Sequence, residues 1–174
     1  MLLTEIMSAH RISMSTLNTG DMAPAFSGVD QDGLPVDLKD HLGGKVLLYF
    51  YPKDDTPGCT TEACNLRDAH DDLLQAGYSV IGVSPDTVAK HRKFATKYGL
   101  PFRLLADTDR SVANAYGVWG RKKFMGREYD GILRTTFLID EKGYIERVIA
   151  DVRTKDHAAQ VLGDQVTIAP PLTH

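Results

Sequence analysis

Apolar positions follow two different rhythms along the chain. Val46-Leu47-Leu48-Tyr49-Phe50-Tyr51 is an unbroken apolar run of strand length ended by Pro52, and Tyr78-Ser79-Val80-Ile81-Gly82-Val83-Ser84 reads as a second buried strand. Runs of this kind suit central strands covered on both faces. Between them, Cys59, Ala63, Leu66, Leu73 and Leu74 recur close to a helical period of about 3.6 residues as far as Gly77. Thr56 and Pro57 read as the N-cap and first position of that helix. Pro85-Asp86 opens another helix, with Val88, Phe94, Ala95 and Tyr98 on one face and Gly99 closing it. Leu104 to Asp107 reads as a short strand and Asp109 to Tyr116 as a short helix. Thr135 to Asp140 and Tyr144 to Val148, joined by Glu141-Lys142-Gly143, form a hairpin, and Asp156 to Val166 a terminal helix. Nearer the start, Asp21 to Phe26 is an extended approach, Gln31-Asp32-Gly33 a hairpin turn and His41 to Lys45 a loop.

Strands alternating with helices predict an α/β protein with parallel crossovers, and the hairpin adds antiparallel strands, so the central sheet is expected to be mixed and flanked by helices. At 174 residues the chain suits one domain. Residues 1–19 are expected to be a poorly ordered extension, 20–168 the domain and 169–174 a loose tail around Pro170-Pro171. Met7 and Met14 leave the translation start open.

The balance of 20 Lys plus Arg against 23 Asp plus Glu gives a formal charge of −3, which supplies no electrostatic case for nucleic acid or an anionic membrane. Arg121-Lys122-Lys123 is the densest basic stretch and reads as a solvated turn. No apolar run approaches the ~18 residues of a membrane span. Glu5 interrupts any signal-peptide core, so a cytoplasmic protein is expected.

Only two cysteines occur, Cys59 and Cys64. Cys59 falls in the first turn of its helix, where unpaired N–H groups and the positive dipole end favour a thiolate. The helical period turns Cys59 inward and leaves Cys64 well off that face. Five residues of ideal helix separate the two Cα atoms by roughly 8.6 Å, beyond the ~7 Å limit for a disulfide. The pair can bond only if the intervening turn unwinds, which suggests a redox cycle more than a structural staple. The six histidines are scattered, none at metal-ligand spacing with the cysteines, and His70 lies on another face than Cys64.

The string Pro52-x-x-x-Thr56-x-x-Cys59, with Cys64 and then Arg134-Thr135-Thr136-Phe137-Leu138-Ile139-Asp140, resembles a peroxiredoxin. Within that family the chain is similar to the bacterioferritin-comigratory, or PrxQ-like, branch from about Gly20 to Val166. The resemblance implies a thioredoxin-like fold and a thiol-dependent peroxidase with no metal, haem or flavin. It implies that Cys59 attacks hydrogen peroxide or organic hydroperoxides and becomes a sulfenic acid. It assigns peroxide contacts to Thr56, Arg134 and the Gly58 and Cys59 N–H groups, and a pocket wall to Pro52. Cys64 would resolve the sulfenic acid as a Cys59–Cys64 disulfide, which thioredoxin or a similar dithiol reduces. Antioxidant defence and a monomeric state follow from that cycle.

Each assignment has a plainer counterpart. Cys64 can be an inert residue, Thr56 only an N-cap, and Arg134 a surface cation at a strand start. Glu62 either bonds near Cys59 or simply complements the dipole. Trp119, Phe124 and Tyr129 form a pocket wall or cover the core edge. A thiol–disulfide redox sensor acting on protein partners is the main competing function, although the C-x-x-C spacing is missing. A holdase-type interaction protein has no supporting feature in the chain.

Overall fold

The computed structural model describes residues 17–163. The expectations for an N-terminal extension, for the end of the terminal helix and for the tail fall largely or wholly outside those residues. In chain order the elements are β1 (Ser27–Val29), β2 (Pro35–Asp37), a 3-10 turn (Leu38–His41), β3 (Lys45–Phe50), α1 (Pro57–Asp68), α2 (His70–Gln75), β4 (Tyr78–Ser84), α3 (Val88–Tyr98), β5 (Arg103–Ala106), α4 (Ser111–Ala115), β6 (Trp119–Phe124), β7 (Arg127–Ile132), β8 (Thr135–Ile139), β9 (Ile145–Ile149) and α5 (His157–Leu162).

Five strands form the central sheet in the order β5-β4-β3-β8-β9. β3, β4 and β5 run parallel, with α1–α2 and α3 as crossovers, while β8 and β9 are antiparallel, so the sheet is mixed as the pattern predicts. β3 lies at the centre and its side chains serve two cores. Leu47 and Tyr49 pack with Cys59, Ala63 and Leu66 of α1, Phe94 of α3 and Val161 of α5. Val46, Leu48 and Phe50 face the other side, against Val36, Val112, Tyr116 and Phe137. Burying each large apolar side chain contributes on the order of 1.5–3 kcal/mol, which is why a strand this apolar lies inside rather than at an edge.

Four sequence expectations need correction. The helix predicted from Thr56 to Gly77 is two, because the backbone leaves helical geometry at Ala69 (φ −101°, ψ 12°). The next helix starts two residues later than expected: Thr87 is its N-cap and accepts from the Lys90 N–H, while Asp86 turns back to bond the preceding loop. Between Asp109 and Tyr116 only Ser111–Ala115 is helical. Finally, Arg121-Lys122-Lys123 is no turn. It lies on β6, paired with Asp130, Tyr129 and Glu128 of β7 in a separate two-stranded sheet. That hairpin turns at Met125-Gly126, both at positive φ. Gly99, at φ 60°, ends α3 in the left-handed cap its position suggested. Among the described residues no helix is long and apolar enough to cross a membrane.

Candidate active site

β3 delivers the chain to the C-terminal end of the central strand at Tyr51-Pro52, and a four-residue loop returns it into α1. Thr56 is the N-cap in extended geometry (φ −100°, ψ 156°) and Pro57 follows at the first helical position. The Thr56 hydroxyl makes no capping bond, contrary to the expected capping role, and donates to the carbonyl of Lys53 at 2.8 Å instead. Its oxygen lone pairs are therefore left to accept from a second group. Cys59 sits in the first turn, 2% exposed, next to half-buried Gly58, and Pro52 before the loop is also half-buried.

Arg134, between β7 and β8, closes over this turn. Its Nη2 lies 3.3 Å from Cys59 Sγ and its Nη1 donates to Glu62 Oε1 at 2.7 Å. A Cβ on Gly58 would sit 3.3 Å from Nη2, so the glycine lets the guanidinium lie close against the helix. Burial works against the arginine's charge, but Glu62 and Cys59 outweigh it and hold the guanidinium pKa above its ordinary value. The structure thus brings Thr56, Gly58, Cys59 and Arg134 to one helix end, with Pro52 at the start of the loop that leads there.

Glu62 is more than a dipole complement. It is fully buried, and burial raises its carboxyl pKa to about 7 even though Arg134 pulls it down. Its second oxygen, Oε2, has no hydrogen-bond partner among the described residues and lies 3.7 Å from His157 Nε2. Thr136 Oγ1 is 2.8 Å from that nitrogen, and His157 Nδ1 is 2.9 Å from Gln160 Oε1. Burial pushes His157 down and favours the neutral ring. This histidine had no signal in the sequence. Only the packing of α5 on α1 brings it to Glu62.

Cys64 lies half-buried later on the same unbroken helix, and both cysteines are free thiols. Its neighbour Asn65 ties α1 to α5: Nδ2 donates to the Lys155 carbonyl at 2.9 Å and Oδ1 accepts from the Ala158 N–H at 2.8 Å. Asn65 thereby supplies the side-chain cap that Asp156 does not give α5. Of the three aromatics considered for a pocket wall, Trp119 lines a cavity of ≈ 1070 Å³ together with Lys122, Leu133, Arg134, Val148 and Ala150. Phe124 and Tyr129 belong to a different, exposed patch on the β6–β7 hairpin. Arg110 stacks over the Trp119 ring at 4.3 Å.

Comparison with known proteins fits this geometry. The AhpC/TSA family profile matches residues 19–148. Peroxiredoxin Bcp of Escherichia coli K12 is 52% identical over 149 residues, covering 86% of this chain and 96% of the relative. Peroxiredoxin Bcp of Bacillus subtilis is 47% identical over 147 residues, 84% of this chain and 94% of the relative. Among solved structures, peroxiredoxin Q of Xanthomonas campestris superposes with a TM-score of 0.76 at 32% identity, over 86% of this chain and 96% of that one. Peroxidoxin BcpB of Mycobacterium tuberculosis gives 0.75 at 36% identity, over 84% and 95%. The thioredoxin-like peroxiredoxin fold expected from the sequence is therefore the fold adopted. With an arginine closed over a buried cysteine at a helix start, and this likeness over most of its length, the chain belongs to the AhpC/TSA family as a peroxiredoxin of the Bcp/PrxQ branch, a thiol-dependent peroxidase.

Proposed function

We propose that Cys59 is the peroxidatic thiol and Cys64 its resolving partner in an atypical two-cysteine cycle recycled by thioredoxin. The observation that carries the first half is the 3.3 Å contact between Arg134 Nη2 and Cys59 Sγ in the first turn of α1. The sulfur attacks one peroxide oxygen, an S–O bond forms as the O–O bond breaks, and the other oxygen leaves as hydroxide or alkoxide. Thr56 Oγ, its own proton occupied on Lys53, accepts from the peroxide O–H. Arg134 and the Gly58 and Cys59 N–H groups donate onto the oxygens where charge develops. Pro52 limits access, which slows over-oxidation of the sulfenic acid.

Cys64 then attacks the Cys59 sulfenic sulfur, water leaves and the disulfide forms. Both residues lie on one continuous helix, so this step waits for the turn from Thr60 to Ala63 to unwind. A dithiol donor of the thioredoxin type returns two electrons and two protons. The intramolecular pairing needs no second subunit, which favours a monomer. Hydrogen peroxide and organic hydroperoxides are the expected substrates. The Xanthomonas campestris bacterioferritin comigratory protein, 32% identical, is described with alkyl peroxide reduction activity, which supports the organic class here. Antioxidant defence in the cytoplasm is the corresponding role. A redox sensor acting on protein partners would leave Thr56 and Arg134 without a task.

Titration of the reduced protein with one equivalent of hydrogen peroxide tests the cycle. Loss of both thiols and of two mass units, without covalent dimers, is the expected result. Two intact thiols after minutes would remove Cys59 from the peroxidatic role.

A further inference from the structure

Behind the loop that carries Thr56 lies a buried polar network that the peroxide chemistry does not touch. Asp54 is its centre. Asp54 Oδ1 accepts from the Tyr51 hydroxyl at 2.6 Å, Oδ2 lies 2.6 Å from His91 Nδ1, and the Asp54 N–H donates to Asp86 Oδ2 at 2.8 Å. The Ser84 hydroxyl donates to the same Asp86 oxygen at 2.7 Å. His91 is fully enclosed, and its Nε2 is 3.0 Å from the Leu105 carbonyl. A carbonyl oxygen only accepts, so Nε2 carries a hydrogen and the ring orientation is fixed. One residue further on, Asp55 adopts φ 57° and is held by Lys97 Nζ at 2.8 Å and the Tyr98 hydroxyl at 2.7 Å. Two consecutive loop residues are each fastened to α3.

Ligating atoms of Asp54, Asp86 and His91 lie within 4.8 Å of one another, a spacing that also suits a metal ion. They are already bonded to one another and to their neighbours, and Lys53, Lys90, Lys93 and Lys97 line the adjoining cavity. A cation would have to displace that network. What the network holds in place matters more than any ion of that size.

We propose that Asp54 and His91 are a positioning pair for the peroxidase reaction, clamping the Lys53–Thr56 loop to α3 so that Thr56 Oγ and the first-turn N–H groups of α1 stay in register with Cys59 Sγ. The proposal rests on the roles assigned above to Cys59 and Thr56. The Thr56 hydroxyl is oriented by the Lys53 carbonyl of the same loop, and the Thr56 carbonyl accepts the Thr60 N–H at 2.8 Å as α1 begins. A left-handed aspartate next to the clamp persists because its surroundings over-determine it. Misplacing a reacting group by about 1 Å costs about a hundredfold in rate, so even a partial release of the loop is visible in kinetics.

The test compares Asp54→Ala with Asp54→Asn. Asparagine keeps the contacts: its amide N–H donates to His91 Nδ1, its carbonyl accepts from Tyr51, and the ring keeps Nε2–H on Leu105. For each reduced protein, well below its unfolding temperature, the second-order rate of Cys59 is measured with hydrogen peroxide and with iodoacetamide. Iodoacetamide needs only an accessible thiolate, whereas peroxide also needs the positioned donors and acceptor. Asp54→Ala should lose at least about tenfold in the peroxide rate with the alkylation rate little changed, and Asp54→Asn should restore most of the loss. If the alanine variant does not fold, Tyr51→Phe removes one bond to Asp54 at constant volume and should lower the peroxide-to-iodoacetamide ratio in the same direction. An unchanged ratio in the folded variants overturns the positioning role. A wild-type protein that leaves peroxide unconsumed overturns the Cys59 assignment instead, so the two failures are distinguishable.

Discussion

Replacing Glu62 by glutamine should flatten part of the protein's stability against pH. Glutamine keeps an oxygen for Arg134 Nη1 and removes a carboxyl whose pKa burial lifts from 4.5 to about 7. The sign follows from proton counting. Between pH 4.5 and 7 the folded chain holds a proton on Glu62 that the unfolded chain has released, so stability falls as pH rises through this window and levels off above it. Every tenfold gain in proton affinity on folding is worth about 1.4 kcal/mol, which gives a contribution of about 3 kcal/mol in full and about 2–3 kcal/mol between pH 5 and 8. His157 runs the other way, because its lowered pKa makes stability rise with pH, and the difference between wild type and variant cancels it to first order. Urea unfolding of the reduced proteins at intervals from pH 5 to 8 reads the effect as a midpoint difference that changes by about 1 M across the range. Parallel curves for the two proteins would refute the reasoning, because Glu62 would then keep an ordinary carboxylate pKa inside the fold.

Other changes probe the site and the sheet. Cys64→Ser should consume one equivalent of peroxide, leave a Cys59 sulfenic acid that dimedone traps, and cycle poorly with thioredoxin; unchanged cycling with nothing trapped would remove Cys64 from the mechanism. Arg134→Gln should lower kcat/KM for peroxide by about 10²–10³-fold, the usual cost of losing one such donor, and a loss below about threefold would contradict its contact with Cys59. At Gly82 a Cβ would lie 2.8 Å from Tyr49 Cζ and 2.9 Å from Leu104 Cδ2, so Gly82→Ala should cost about 1–3 kcal/mol of unfolding free energy by overpacking; denaturant titration showing no loss would mean that the Tyr49 and Leu104 side chains give way freely.

Legibility in the sequence tracked how local the cause was. β3 was readable because six consecutive apolar residues leave little choice of location, β4 because Val80, Ile81 and Val83 make a short β-branched stretch, and the left-handed cap at Gly99 because glycine is the residue for that turn. The break at Ala69 was not, since neither glycine nor proline marks it and Leu66 and Leu73 both bury on either side. β6–β7 escaped because its strands are charged and half-exposed, with no alternation of apolar and polar positions to betray them. At the site, Pro52, Thr56, Cys59 and Arg134 came from a motif, and the structure brings Thr56, Cys59 and Arg134 to one helix end. The buried Glu62 carboxyl, His157 and the Asp54–His91 pair depend on contacts between distant segments: 72 residues separate Glu62 from Arg134, and 37 separate Asp54 from His91. No spacing along the chain encodes such meetings.

Asn65 gives the proposed disulfide a defined mechanical setting. With Asp54 moored to α3 on one side and Asn65 moored to α5 on the other, the stretch from 57 to 64 is a short tether between two fixed posts. Coiled, eight residues span about 12 Å; drawn out, they span up to about 27 Å. The tether therefore holds several times the slack that two sulfurs need to meet, and it can be let out without shifting either post. Oxidation would rewrite the first turns of α1 in one patch and leave the sheet and the other flanking helices as they are. A reductant can then tell spent enzyme from ready enzyme by that patch alone, and closing the tether again on reduction restores the site without any search by the rest of the chain.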